Sequence, residues 1–194
     1  ISSGKVNEAL FEAKLGEAIQ DRGPDEYRLA GKFFEKTFFT AGMRGLLQDI
    51  IKTLNGQHAA NAIVNLKTSF GGGKTHTELA VYHLFAHPEE SMRVPEVRAL
   101  VKEAGLDAPP ACRVAVLPGT NLSPTGRKTA DGLQIRTRWG ETAYRLGGRE
   151  AFALVAEEDA HLVSPGEDKL RQVLESVGPS LILLDETLHY VDKA

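Results

Sequence analysis

The chain has 194 residues, which at roughly 100 to 200 residues per domain fits one large domain with ample length for a buried core. Apolar residues make up 42% and charged residues 25% of the sequence, a balance that excludes a disordered segment and is typical of a folded globular protein. The net charge of −3 removes global positive charge as an argument for nucleic-acid binding.

The single cysteine and the start of the chain bear on where the protein works. Cys112 alone cannot form an internal disulfide or a cysteine-based zinc site, so we expect a reducing, cytoplasmic compartment. The chain begins at Ile1 without a secretory signal, and its uncharged apolar runs fall far short of the ~20 residues that cross a bilayer. We therefore expect no membrane span, and we interpret the chain as part of a longer protein.

Residues 1–57 are predicted to form a helical extension. Gly23 and Pro24 separate a weak helix near 7–20 from the segment that follows. The helix over 43–54 is better defined, because its apolar residues recur every three or four positions and therefore share one face. These residues are Met43, Leu46, Leu47, Ile50, Ile51 and Leu54.

The pattern changes after residue 60. A short apolar run over 62–66 is followed by a glycine-rich segment over 68–75. The residues over 77–86 are apolar nearly all round the helical circle, as expected of a helix packed between a sheet and a further layer. We predict a strand, a loop and a buried helix, in that order.

The remaining sequence alternates further helices and strands with one long loop. Because strands and helices alternate along the chain, we predict an α/β fold with a parallel sheet. In order, the predicted elements are a helix over 95–104, a strand over 112–117, a loop over 118–133, a helix over 143–155 interrupted by Gly147 and Gly148, a helix over 166–177 and a strand over 180–184.

The segment Thr68–Thr75 matches the Walker A pattern at every defined position except the first, where Thr68 stands in place of glycine. Backbone N–H groups of such a loop converge on phosphate at a helix N-terminus. Lys74 would contact the β- and γ-phosphates of ATP, and the Thr75 hydroxyl would ligate Mg²⁺. The alternative is a flexible glycine turn followed by a surface lysine. The predicted nucleotide-binding residues are Phe70, Gly71, Gly72, Gly73, Lys74, Thr75 and His76.

A second signal lies at Leu181–Glu186, where four apolar residues are followed by two carboxylates. A buried parallel strand delivers such carboxylates to the sheet edge that also holds a phosphate-binding loop. Asp185 would hold Mg²⁺, largely through water, and Glu186 would polarise the attacking water as a general base. The signal is weak alone, but combined with the Walker A segment it predicts ATP hydrolysis, with Glu186 and Lys74 as catalytic residues.

Several further segments accompany these two motifs in a characteristic order. They are Phe33–Phe34, Thr37, Thr40, Leu46–Leu47, Asn65–Thr77, Leu84, Thr137–Gly148, Pro165–Leu170 and Leu183–Glu186. Together they resemble a family of AAA-type ATPases catalogued as domain of unknown function 499, over roughly residues 33–190. With the motifs, the resemblance implies an incomplete, AAA-like three-layer P-loop NTPase core over 58–194, truncated after the Walker B strand, behind the helical extension.

The resemblance implies ATP and Mg²⁺ binding in large bacterial or archaeal proteins often linked to defence against phage. It also implies that the strand after Walker B lies between the Walker A and Walker B strands, and that arginine fingers commonly come from a partner. We therefore expect an ATP-hydrolysing motor or switch that works with other subunits or with the rest of its own chain, and that is weak or inactive alone. Two alternatives stay open, a nucleotide-gated regulatory module with little turnover and a P-loop kinase.

Histidines and basic residues give weaker signals. The imidazole of His76 is expected to pack or to cap, and the other histidines lack the spacing of a zinc motif. Residues 127–149 hold an excess of positive charge that could contact nucleic acid or a neighbouring subunit's phosphates, although a solvated face is the favoured interpretation. The basic residues are Arg127, Lys128, Arg136, Arg138, Arg145 and Arg149, against Asp131 and Glu141.

Overall fold

The computed structural model of the chain describes residues 15–57, 63–66, 73–119 and 126–185. Within these ranges, no helix combines the length and the apolar character that crossing a bilayer requires. The helices are α1 (Leu15–Ala18), α2 (Asp25–Arg28), α3 (Ala30–Lys36), α4 (Ala41–Leu54), α5 (Lys74–Ala86), α6 (Pro88–Ser91), α7 (Pro95–Glu103), α8 (Arg138–Ala153), α9 (Ala156–His161) and α10 (Glu167–Val177). The strands are β1 (Arg113–Pro118), β2 (Arg127–Lys128), β3 (Gln134–Ile135) and β4 (Ser180–Asp185).

Strands β1 and β4 form a parallel pair. Arg113 lies opposite Ser180 and Pro118 opposite Asp185. The N–H of Gly119 extends the pairing by donating to the carbonyl of Asp185 at 2.8 Å. Strands β2 and β3 form a separate antiparallel pair. This mixture of helices with a small parallel sheet is compatible with the expected α/β class.

The main core lies between the helices of the first half of the chain and one face of the parallel sheet. Alternate residues of the two strands, Val114 and Val116 of β1 and Leu181 and Leu183 of β4, pack against this core, as the period of two along a strand requires. Most buried residues of α5 belong to this core, and the helix packs against α3, β1 and β4. Helix α8 also contacts β1.

Threonines begin the two longest amphipathic helices. The Thr40 hydroxyl accepts a hydrogen bond from the N–H of Met43 at 3.2 Å, and α4 then buries the predicted apolar stripe. The Thr137 hydroxyl accepts from the N–H of Gly140 at 3.0 Å at the start of α8. A side-chain oxygen at this position satisfies an N–H group that has no partner within the helix.

Two glycines interrupt α8 at the predicted place. Gly147 and Gly148 both leave the helical conformation, and Gly148 has a φ of 65°, which costs little only for glycine. A Cβ on Gly147 would lie 2.6 Å from Cγ1 of Val177. The interruption therefore also allows α10 to approach α8 closely.

Most predicted elements are present, with ends shifted by a few residues. The helices over 43–54, 95–104 and 166–177 and the strands over 112–117 and 180–184 are confirmed. The predicted helix over 143–155 is part of α8, which starts five residues earlier than expected at Arg138. The described part of the predicted 118–133 loop contains the end of β1 and all of β2. Only 15–18 of the weak first helix are both described and helical.

The predicted strand over 62–66 is wrong for the residues that the structure describes there. Residues 63–66 have no regular structure, and Ile63 and Val64 are 87% and 54% exposed. A strand is stable only when a neighbour completes its backbone hydrogen bonds. Among the described residues, β1 and β4 pair with each other and not with this segment.

Candidate functional site

The start of α5 carries the end of the Walker A segment. Gly73 precedes the helix with a φ of 74° and a ψ of 20°, a left-handed conformation that favours glycine. Its carbonyl accepts from both the N–H and the hydroxyl of Thr77, each at 2.9 Å, which fixes the first turn. Because glycine has no side-chain acceptor, it leaves the first N–H groups of α5 without a side-chain cap. Such a terminus favours an anion.

The structure places part of the predicted nucleotide site. Lys74 is exposed at the first position of α5, whereas Thr75 and His76 are half-buried in the same turn. The other predicted residues lie outside the described ranges: Phe70, Gly71, Gly72 and Glu186.

Asp185 is the last residue of β4 and is half-buried. Its backbone is fixed by pairing with Pro118 and by the hydrogen bond from Gly119. Helix α5 packs against both β1 and β4, so the elements that carry Thr75 and Asp185 contact each other. Their hydroxyl and carboxylate oxygens are the kinds of ligand that Mg²⁺ prefers, since Mg²⁺ in nucleotide sites usually takes one or two protein oxygens plus phosphates and water. Across the described ranges, no cluster of three His, Cys, Asp or Glu side chains forms an all-protein metal site.

The imidazole of His76 turns toward α3. Its Nε2 lies 3.1 Å from the Oγ1 of Thr37, and its ring centroid lies 4.6 Å from that of Phe33. Burial lowers the pKa of His76 below its usual value, so the ring is neutral at physiological pH. The expectation that this side chain packs is confirmed, and the structure identifies its partners.

A second histidine continues the contact between α3 and α5. His83 is fully buried, and its Nε2 lies 2.8 Å from the carbonyl oxygen of Tyr27. Its ring packs 5.1 Å from Phe33. Sequence reasoning missed this cluster, although the spacing of seven between His76 and His83 places both on one face of a helix.

Acidic side chains neutralise much of the basic segment 127–149. Glu141 is only 2% exposed and accepts from the Nε of Arg127 at 2.8 Å and from the Nε of Arg145 at 2.5 Å. Arg149 pairs with Asp131. The Arg127–Glu141 pair joins β2 to α8, and all three ion pairs reduce the positive field available to a phosphate backbone.

A buried carboxylate fixes the start of α8. Asp159 of α9 is 1% exposed and accepts from the N–H groups of Arg136 at 2.9 Å and Thr137 at 2.8 Å. The Thr137 hydroxyl also donates to it. A Cβ on Gly140 would lie 2.2 Å from an Asp159 oxygen, so a glycine is needed at that position. Nothing in the local sequence pattern indicated this contact between residues more than twenty positions apart.

Comparison with known families gives one result. A family model described as the DUF499 N-terminal domain matches residues 5–194. The searches of curated proteins and of solved structures returned no match. The matched range includes all of the residues of the candidate site.

Proposed function

The chain belongs to the DUF499 N-terminal domain family, and from that premise we propose that it is an AAA-type P-loop domain that binds and hydrolyses ATP as the motor or switch of a larger protein. One observation carries the proposal. The Gly73-Lys74-Thr75 end of a Walker A segment begins a buried helix that packs on a parallel strand ending at Asp185. A glycine-rich segment that ends at the N-terminus of a helix beside a parallel sheet is suited to binding phosphate.

Each site residue has a role in this proposal. Lys74 contacts the β- and γ-phosphates, and the N–H groups at the start of α5 hold phosphate oxygens. Thr75 and Asp185 hold Mg²⁺, the second through water. Mg²⁺ held there would supply positive charge that offsets the charge of the phosphates. Glu186 accepts a proton from the attacking water, which makes the water a better nucleophile.

The parallel pairing of β1 with β4 is compatible with an AAA-type sheet. In such sheets, according to the family resemblance, the strand after Walker B separates the Walker A and Walker B strands. In such a sheet the segment 62–66 would pair with that intervening strand and not with β1 or β4. The outward side chains of β4, Ile182 and Leu184, are 38% and 52% exposed. A further layer packed on this face of the sheet would cover them, as in parallel sheets that are buried on both faces.

Substitution of Lys74 tests nucleotide binding. In the whole protein, Lys74→Ala should weaken binding of a non-hydrolysable ATP analogue with Mg²⁺ at least tenfold, because a charge-assisted contact contributes about 1.5 to 3 kcal/mol. Lys102→Ala, which removes an exposed lysine of α7, is the control and should bind normally. Equal affinity of the Lys74→Ala variant and the wild type would refute the site.

The catalytic role is tested in the same protein by Glu186→Gln. This change should leave ATP affinity nearly intact and slow hydrolysis about 100-fold or more, the usual contribution of a positioned general base. Hydrolysis at the wild-type rate would refute the assignment of Glu186. Binding without measurable hydrolysis in the wild type would support the regulatory module instead.

A further inference from the structure

The hydrogen bond between α3 and α5 has a defined direction. The Thr37 hydroxyl donates its only proton to the carbonyl of Phe33, at 2.7 Å. The Thr37 oxygen is therefore an acceptor toward the Nε2 of His76, which lies 3.1 Å away. It follows that Nε2 carries the proton and that His76 donates to Thr37.

Packing holds the imidazole in this position. The His76 ring lies against Phe33, which is 1% exposed. Phe33 is itself enclosed by Phe34 at 5.2 Å and by His83 at 5.1 Å, measured between ring centroids. The ring of His76 therefore cannot leave its place without a movement of α3 or a change of rotamer that breaks both contacts.

With its proton on Nε2, the His76 side chain cannot donate a hydrogen bond to phosphate. The donor nitrogen is used by Thr37, and the remaining Nδ1 carries a lone pair, which cannot donate to a phosphate oxygen. Only the backbone N–H of His76 remains suited to an anion.

We propose that His76 is a positioning residue whose imidazole, held by Thr37 and Phe33, orients the first turn of α5 and so couples nucleotide binding to α3. This inference rests on the proposed function, because the coupled event is phosphate binding at the start of α5. The coupling is reciprocal, as any linkage between two binding equilibria must be. Nucleotide therefore orders the end of α3, and the contact with α3 strengthens nucleotide binding.

The Thr37→Val variant tests the coupling in the whole protein. Valine keeps the shape of threonine and removes the oxygen that His76 binds. We expect binding of a non-hydrolysable ATP analogue with Mg²⁺ to weaken about three- to tenfold, the range for loss of one hydrogen bond. The control is Thr142→Val, because Thr142 likewise donates to the carbonyl four residues earlier, at 2.7 Å, but lies in α8. This control should bind as the wild type does.

Two substitutions of His76 separate the hydrogen bond from packing. His76→Gln places an amide N–H near the original Nε2, whereas His76→Phe keeps the stacked ring without a donor. We expect the glutamine variant to bind the analogue more tightly than the phenylalanine variant, and this advantage to vanish when Thr37→Val is added. A role in packing alone would give the opposite order.

Hydrogen exchange measures the reciprocal effect. The analogue should slow exchange of the backbone amides over 30–40 in the wild type, and should do so much less in Thr37→Val. If the wild type binds no analogue, the proposed function fails and the coupling fails with it. If the wild type binds and both Thr37→Val and His76→Phe match it, the coupling is wrong while the proposed function stands. Where one of these two variants does not fold, the other decides.

Discussion

At the scale of single residues, His83 is the clearest case of a side chain whose chemistry is set by burial. Its Nε2–H donates to the Tyr27 carbonyl, and its buried Nδ1 has no hydrogen-bond partner among the described residues. Protonation would place a charge on that nitrogen without an acceptor, so burial lowers the pKa of His83 from 6.5 to about 4. The folded protein therefore binds a proton here less readily than the unfolded chain does.

This difference predicts a pH dependence of stability. Between pH 6.5 and 4 the unfolded state takes up the proton first, so acidification in this window destabilises the fold, and above pH 6.5 the effect disappears. Between pH 7 and pH 5 the wild type should lose about 2 kcal/mol of unfolding free energy from this group. His83→Gln, which keeps an amide donor for Tyr27, should lack that loss. Denaturant titrations at pH 7 and pH 5 measure the unfolding free energy of the wild type and of His83→Gln. An equal loss of unfolding free energy in the two would contradict the assignment.

At the scale of elements, Glu141 connects the β2–β3 hairpin to α8. Its carboxylate is buried and contacts two guanidinium groups, Arg127 and Arg145. The Arg127 side chain also lies over the Tyr144 ring, at 5.5 Å from its centroid. Arg127, Arg145 and Arg149 of this segment thus pair with carboxylates of the same chain.

Removal of the Glu141 charge tests this role. Glu141→Gln should lower the free energy of unfolding by about 1 to 3 kcal/mol, since a buried amide satisfies the two arginines poorly. Glu150→Gln, an exposed change in the same helix, should be nearly neutral. Thermal unfolding measures the stability of each variant against the wild type. Binding of the variants to double-stranded DNA adds a second measurement, because stronger binding by Glu141→Gln than by wild type would revive the nucleic-acid interpretation of this segment.

The elements of the fold differ in how far the sequence could predict them. The helix α4 follows from a local apolar stripe with a threonine cap, and the start of α5 follows from a motif of consecutive residues. The segment 63–66 could not be assigned correctly, because a strand forms only where a partner, often distant in the chain, completes its hydrogen bonds. The contact of His76 with Thr37 joins residues 39 positions apart, and no periodicity within either segment indicates it.

At the scale of the whole molecule, one strand carries apolar surface on the side away from the main core. Ile182 and Leu184 follow the period of two along β4, opposite Ala115 and Leu117 of β1. Those two β1 residues are buried, whereas Ile182 and Leu184 are 38% and 52% exposed. The strand that ends on the proposed Mg²⁺ ligand is thus half-covered, although its sequence is that of a strand buried on both faces.

A matched pair of measurements tests whether the rest of the protein covers this face. Leu184→Ser should change the unfolding free energy of the 194-residue chain by less than about 0.5 kcal/mol, as for an exposed position. In the whole protein it should cost about 2 kcal/mol or more and also lower ATP hydrolysis, because Asp185 follows directly. Phe38→Ser is the control for loss of an exposed apolar side chain, because Phe38 is 82% exposed. It should change the unfolding free energy little in both proteins. If Leu184→Ser changes the unfolding free energy equally little in both proteins, this face of β4 stays open and the expected three-layer core is wrong here.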